Sequence, residues 1–198
     1  MTQSVTSELT KQLIADSLKK LMAEKPLNKI SIRELVADCG VNRQTFYYHF
    51  QDIYDLLEWI IKKEIVSVLG NTDNFLTWQE AGVYFLRYLK QNSTVVLCAL
   101  NSMGRTALKN LLFEDIFKIA TLYIENVSSD IKVSEKNFNH VVHFYAISFG
   151  ALLEDWLSTG MPHEPEELIN ILSTIVTGTA RTALQRFADE ERTKAEAL

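Results

Sequence analysis

An all-α protein is what this sequence predicts, and three observations carry that prediction. Turn-forming residues are sparse, with seven glycines and three prolines in 198 residues, whereas multi-stranded folds need frequent punctuation. Apolar residues recur at three- and four-residue spacing through most of the chain, the period of a helix with one buried face. No credible strand pair, internal repeat or low-complexity segment is visible. The apolar fraction of 47% is ample for a sizeable core.

Residues 7–24 place Leu9, Leu13, Leu18, Leu21 and Met22 near helical spacing, which predicts an amphipathic helix with its lysines outward. Pro26 ends it, because the residue before a proline is pushed out of the helical region. Ser31 with Glu34 three residues on is a capping box opening a short helix, with Ile32, Leu35 and Val36 as its buried stripe and Gly40 as its stop. Asn42 is the next N-cap candidate, for a helix through about Phe50. Asp52 caps a third, with Ile53, Leu56, Leu57, Ile60, Ile61 and Ile65 as its apolar face. Further helices are expected over 75–91, 93–103, 105–127 and 136–159, the last stopped by Gly160-Met161-Pro162. Residues 128–136 form a polar connection, and Glu166 to Phe187 are expected to make one last long helix before a charged tail.

Charge is unevenly spread. The net charge is −5, yet residues 1–50 hold seven Lys and Arg against five Asp and Glu, and residues 51–198 hold thirteen against twenty. A mildly basic head on an acidic body is compatible with nucleic-acid contact by the head alone. No run of about 18 apolar residues predicts a membrane span, and the polar start MTQSVTSELTKQ has no apolar signal region. Cys39 and Cys98 form no CxxC, which fits a reducing cytoplasm.

Enzyme chemistry has no foothold in the motifs. There is no GxSxG, phosphate loop or HExxH, so neither a catalytic residue nor a cofactor is expected. The pairs Glu154-Asp155 and Glu166-Glu167 point in different directions on a helix and suit solvation or N-terminal charge better than acid–base work. His140 and His143 lie three apart on a helix, but nothing nearby completes a metal site, so no metal is expected.

The stretch CGVNRQTFYYHFQD, Cys39 to Asp52, carries the function. Two short helices joined by a tight turn with glycine are a helix-turn-helix, and Gly40 sits where the chain must reverse through a left-handed residue. Phe46 and Phe50, four apart, can face the core and leave Arg43, Gln44, Thr45, Tyr48 and His49 outward. Arg suits guanine, Gln or Asn suits adenine, and the Thr methyl suits thymine; Tyr and His suit phosphate oxygens. A recognition helix presents its N-terminal residues to the bases, which favours Asn42, Arg43, Gln44 and Thr45 for readout and Tyr47, Tyr48 and His49 for the backbone.

The run ISIRELVADCGVNRQTFYYHFQDIYDLL, Ile30 to Leu57, resembles the DNA-binding domain of the tetracycline-repressor (TetR) family. The likeness rests on the Ile32–Leu35 helix, Gly40-Val41, Thr45-Phe46-Tyr47 and His49-Phe50. It implies a three-helix DNA-binding head over 1–55 on a larger helical regulatory and dimerisation body over 56–198. By position it implies that Arg33, Asn42, Arg43, Gln44, Thr45, Tyr47, Tyr48 and His49 contact double-stranded DNA. Two positions depart from the family pattern. Val36 replaces a usual alanine at a helix–helix contact, and Ile53 replaces a usual lysine near a phosphate. The second shifts backbone affinity onto Lys29, the tyrosine hydroxyls and helix-terminal amides.

In this family two C-terminal helices from each subunit form a four-helix homodimer interface. The helices at 136–159 and 166–187 are the candidates, with Phe149-Gly150-Ala151 offering close approach among Leu152, Leu153, Trp156 and Leu157, or else forming the core of a monomer, which sequence alone separates poorly from an interface. The stretch GALLEDWLSTGMPHEPEEL also resembles the C-terminal domain of a subgroup that includes regulators of dihydroxyacetone kinase genes, some of them activators working through a protein coactivator. The expected function is therefore a cytoplasmic, dimeric, sequence-specific transcription regulator on an inverted repeat, controlled by a small-molecule effector or a protein coactivator. Two other classes are a helical small-molecule-binding enzyme and an adaptor, each keeping a non-functional head. Trp78, Tyr84, Phe85, Tyr88, Cys98, Met103, Phe113, Phe117 and Tyr123 are available for an effector pocket, or simply for core.

Overall fold

Local capping chemistry sets several element boundaries in the computed structural model, which describes residues 2–69 and 77–196. The order is α1 (Thr2–Glu24), a 3-10 turn η1 (Leu27–Lys29), α2 (Ile32–Cys39), α3 (Arg43–His49), α4 (Ile53–Leu69), α5 (Trp78–Gln91) and α6 (Ser93–Met103). It continues with α7 (Arg105–Ser128), α8 (Glu135–Ser158), α9 (Pro165–Val176) and α10 (Thr179–Glu196). Among the described residues there is no strand. Positions 75 and 76 of the expected fifth helix, and the Ile65 side chain expected on the α4 face, lie outside what is described. Two compact units divide the chain, Met1–Ile65 with Asn92–Leu111 and Val66–Gln91 with Leu112–Leu198.

In the first unit, α1 packs on α2 and on α6, α2 on α3, and α6 on η1. Ile14, Ala15, Leu18, Leu21 and Met22 form the buried face of α1. Leu9 and Leu13, expected on that face, are 61% and 55% exposed. Both share the ridge of buried Ser17, which donates to Asp38 of α2 at 2.7 Å. Toward the N-terminus of α1 that ridge stays open. From α4, Ile53, Leu56, Leu57, Ile60 and Ile61 are all buried, as the spacing predicts.

The second unit centres on an aromatic cluster. Trp78 of α5 stacks on Phe149 of α8 at 5.7 Å and meets Tyr123 of α7 edge-on at 5.3 Å. Helix α8 ends in a left-handed pair, Gly160 at φ 84° and Met161 at φ 58°. There the Met161 amide returns to the Trp156 carbonyl at 2.8 Å. This is the C-terminal closure that the Gly160-Met161-Pro162 signal predicts.

The expected single helix from Glu166 to Phe187 is two helices. Gly178, at φ 78°, takes the left-handed conformation that ends α9. Val176 ends the α9 helix, and its carbonyl accepts the Tyr123 hydroxyl at 2.5 Å and the Thr179 hydroxyl at 2.7 Å. Thr179 in turn accepts from the Tyr145 hydroxyl at 2.6 Å, having given its only proton to Val176. Burial pushes the Tyr123 hydroxyl up to about 12, so it remains a donor. Beyond the break, α10 runs through the charged tail to Glu196. Two clamps hold it. Arg181 makes a two-pronged pair with Asp130 at 2.5 and 2.6 Å, which holds that carboxyl down at about 2. Glu191 accepts from the Ser134 amide and hydroxyl and from the Asn137 side chain at the start of α8.

Candidate nucleic-acid interface

Each end of the α2–α3 pair is fixed by a short polar side chain. Ser31 accepts from the Glu34 amide at 3.2 Å. The Glu34 carboxylate pairs with Lys25, so the capping box is half used. Gly40 follows α2 at φ 71°, ψ 16°, a left-handed conformation strained for any residue with a Cβ. Asn42 caps α3 by accepting from the Thr45 amide at 2.7 Å. Phe46 is fully buried and Phe50 nearly so, and the two rings meet at 5.9 Å. That pair anchors the inner side of α3 and sets which residues face out.

The outward face is narrower than the sequence alone predicts. Arg43, Gln44, Tyr47 and Tyr48 are exposed in two parallel rows four residues apart, 43 with 47 and 44 with 48. Tyr48 is the most open, 82% exposed. Thr45 and His49 are half-buried on the flank of this face. Asn42 is exposed at its N-terminal edge and Arg33 is exposed on α2.

Hydrogen bonds within the helix restrict what each group can offer. Asn42 Oδ1 accepts from both the Thr45 amide and the Thr45 hydroxyl, at 2.7 and 3.1 Å. With both lone pairs taken, Asn42 has only its NH2 to donate, and the paired acceptor–donor reading of adenine is closed to it. Thr45, its proton given to Asn42, can accept or can present its methyl. Gln44 makes no such bond among the described residues, which leaves its amide able to both accept and donate. Arg43 donates from Nη2 to the Tyr47 hydroxyl at 3.1 Å, and its guanidinium lies 5.5 Å from the Tyr47 ring centre.

Electrostatics around the face are lean in unpaired cations. Lys20 pairs with Asp38, Lys25 with Glu34 and Lys19 with Glu64. Lys11 and Lys63 both reach Glu8, and both lie over the Trp59 ring. Lys29, Arg33 and Arg43 are exposed with no ion pair among the described residues. Burial lowers the His49 pKa, and nearby Lys11 lowers it further, so at neutral pH His49 is an uncharged donor or acceptor. The helix-terminal amides expected to serve phosphates are partly engaged. Asp52 accepts from the Tyr54 and Asp55 amides at the start of α4, which makes that terminus acidic. Ile53 is buried.

In the second unit a cavity of about 50 Å³ is lined by apolar side chains that include Trp78, Phe85, Ile116, Phe149 and Leu172. Trp78 and Phe85 are among the residues considered for an effector pocket. Phe149, Gly150, Leu153, Trp156 and Leu157, expected to ring a close subunit approach, are buried within this unit. An added Cβ at Gly150 would sit at an ordinary 3.8 Å from Ile116. The outward ridge of α8 is instead Phe144, Ile147 and Ala151, with Leu152 on its flank, and α9 exposes Ile171 and Ile175. His140 and His143 are both exposed, and among the described residues no group of three His, Cys, Asp or Glu is placed to hold a metal ion. No helix among the described residues is long and apolar enough to cross a membrane.

Comparison with known proteins adds the family. Residues 14–60 match the model of bacterial regulatory proteins, tetR family, and residues 76–178 match that of a transcriptional regulator C-terminal region. The HTH-type dhaKLM operon transcriptional activator DhaS of Lactococcus lactis subsp. lactis (strain IL1403) is 31% identical over 86 residues, 43% of this chain and 46% of the relative. An uncharacterized HTH-type transcriptional regulator, YxbF of Bacillus subtilis (strain 168), is 24% identical over 166 residues, 80% of this chain and 42% of the relative. The matches thus span less than half the length of these curated relatives. In fold the chain is similar to the solved dihydroxyacetone kinase operon activator DhaS, with a TM-score of 0.70 at 21% identity, over 87% of this chain and 97% of that one. The C-terminal match alone takes in more than half of the 198 residues, and together with the helix-turn-helix match it shows that the chain belongs to the TetR family of transcriptional regulators, not of enzymes.

Proposed function

We propose that this regulator binds an inverted-repeat operator as a homodimer, through a head over residues 1–55, and that it activates a dihydroxyacetone kinase operon. One observation carries the DNA assignment: Arg43, Gln44, Tyr47 and Tyr48 stand exposed side by side on a helix whose opposite side is anchored by Phe46 and Phe50. Arg43 and Gln44 lie at the N-terminal end, where a recognition helix meets base edges. Asn42, Thr45 and Arg33 flank them, and Tyr48 and His49 serve the sugar–phosphate backbone. The activator role rests on the named relative.

The body over 56–198 supplies the subunit contact through the outward ridge of α8, Phe144, Ile147 and Ala151, and through Ile171 and Ile175 of α9. Two-fold pairing presents two heads to a pseudo-palindrome. Control falls to a protein coactivator rather than a polar small molecule. Within the second unit the apolar cavity of about 50 Å³ supports this, since it is smaller than typical ligand pockets and its lining offers little to orient a polar effector. A regulator of this kind works in the cytoplasm beside its DNA.

The test is selection of bound sites from a randomised DNA pool by the full-length protein, followed by a search for the recovered site upstream of dihydroxyacetone kinase genes. A two-fold repeat found there is the expected result. Sequence-indifferent binding would sink the regulator assignment, and a repeat found only elsewhere would sink the operon assignment.

A further inference from the structure

We infer that Tyr47 is a specificity-determining positioning residue, one that acts on base choice through Arg43. This rests on the assignment of α3 to DNA and extends it to how the helix reads sequence.

The two residues are four apart, so their side chains share one row of the exposed face. The Tyr47 ring lies 5.5 Å from the Arg43 guanidinium carbon, and its hydroxyl accepts from Arg43 Nη2 at 3.1 Å. Ring and hydroxyl together define a plane and a point for the guanidinium. The Tyr47 ring is itself held edge-on to buried Phe46 at 5.5 Å, so the brace is tied to the core of the head. An unbraced arginine carries a large rotamer entropy that must be lost when it seats on guanine in two-pronged fashion. A braced one loses less of it on binding, which raises the contrast between guanine and other bases. The tyrosine hydroxyl keeps its own proton, so a direct contact to a phosphate oxygen is the competing role. A phosphate contact positions without reading sequence.

Single-base variants of the selected operator separate the two roles. Affinity of full-length wild type, Arg43→Ala, Tyr47→Phe and the double variant is measured on each, at one fixed salt concentration. Tyr47→Phe keeps the ring and removes the hydroxyl, so the fold is retained, and its melting curve checks this. We expect Tyr47→Phe to cut discrimination about 2- to 10-fold at one base pair only, the pair that Arg43→Ala flattens. Adding it to Arg43→Ala should change nothing further there. Equal weakening on every variant, additive losses in the double variant, or no effect anywhere would each overturn the inference. Failure of wild type to select any site would take down the DNA assignment as well, and that outcome is visible before any variant is made.

Discussion

The head and the body expose different kinds of surface, although both are helical and similarly rich in buried aliphatics. On α3 the exposed side chains are polar or aromatic-polar, and two pairs around it are already joined, Asn42 with Thr45 and Arg43 with Tyr47. On α8 and α9 the exposed ridge is Phe144, Ile147, Ile171 and Ile175, with Phe144 and Ile175 each 64% exposed. A surface that must meet hydrated phosphates and base edges keeps its hydrogen-bonding groups ordered in advance. A surface that meets another apolar surface needs only shape and area. Under the proposed function, the difference separates a face that discriminates from one that adheres.

That contrast can be broken at its base. Phe46→Ala removes a fully buried ring beneath α3 and should cost about 3–5 kcal/mol of stability, read by thermal and urea melts. If the melts show little loss of stability and α3 still binds DNA, the anchored-face account of the head fails.

Next in size is the adhesive side. Ile147→Glu should weaken self-association by about 2–5 kcal/mol, the cost of an unpaired charge in an apolar interface. Sedimentation velocity would show it, with unchanged helicity by circular dichroism. A dimer that persists at low concentration would move the subunit contact off the α8 ridge.

Gln44→Ala should lose about 1–3 kcal/mol at the cognate operator and relax preference at one position. Asn42→Ala should instead lose about 1 kcal/mol of stability as a broken cap, with its DNA effect following from a frayed α3. Equal behaviour of the two variants would contradict the hydrogen-bond assignments that distinguish them.

Charge effects come last. Lys29→Ala or Arg33→Ala should lower affinity alike on all sites and reduce the salt slope by about 1 for each phosphate no longer neutralised. Acidification sharpens the contrast further. The folded head lowers the His49 pKa, so the unfolded chain takes up that proton first as pH falls. The associated stability is full above the ordinary histidine range and is lost as pH drops through the folded value. In the body, burial raises the Asp115 carboxyl, the opposite sign. Its neutral form favours folding, so Asp115→Asn should raise the melting temperature at pH 7 and gain little below about pH 3.5. Melting curves across pH for His49→Gln and Asp115→Asn would check both signs.

How much of this was legible in the sequence divides along physical lines. Caps are local, so Ser31, Gly40, Asn42 and Asp52 could be placed from residue type and spacing, and with them the whole α2–α3 pair. The Phe46 and Phe50 anchor was legible for the same reason. The α9–α10 break was not, because the apolar period runs on past Gly178 and the Tyr123 hydroxyl that meets the Val176 carbonyl comes from far along the chain. Leu9 and Leu13 share an α1 ridge with Ser17, but spacing says which residues share a side and not whether anything lies opposite. Trp156 and Leu157 are apolar in either a core or an interface, and only burial separates the two. The Arg43–Tyr47 brace left a signal in the i, i+4 spacing of a cation and an aromatic, a pattern that gains meaning when it falls on a recognition helix.

Gly178 has a consequence for what can replace it. A Cβ there would touch nothing within 4 Å, so only torsional strain opposes a larger residue, about 1–2 kcal/mol. The elbow itself is held elsewhere, by the hydroxyls on the Val176 carbonyl and by the Asp130 and Ser134 anchors of α10, so a larger residue at this turn strains the bend without releasing it. The turn therefore accepts a side chain at a fixed torsional cost, and the direction of α10 is set by its hydrogen-bonded neighbours rather than by the glycine.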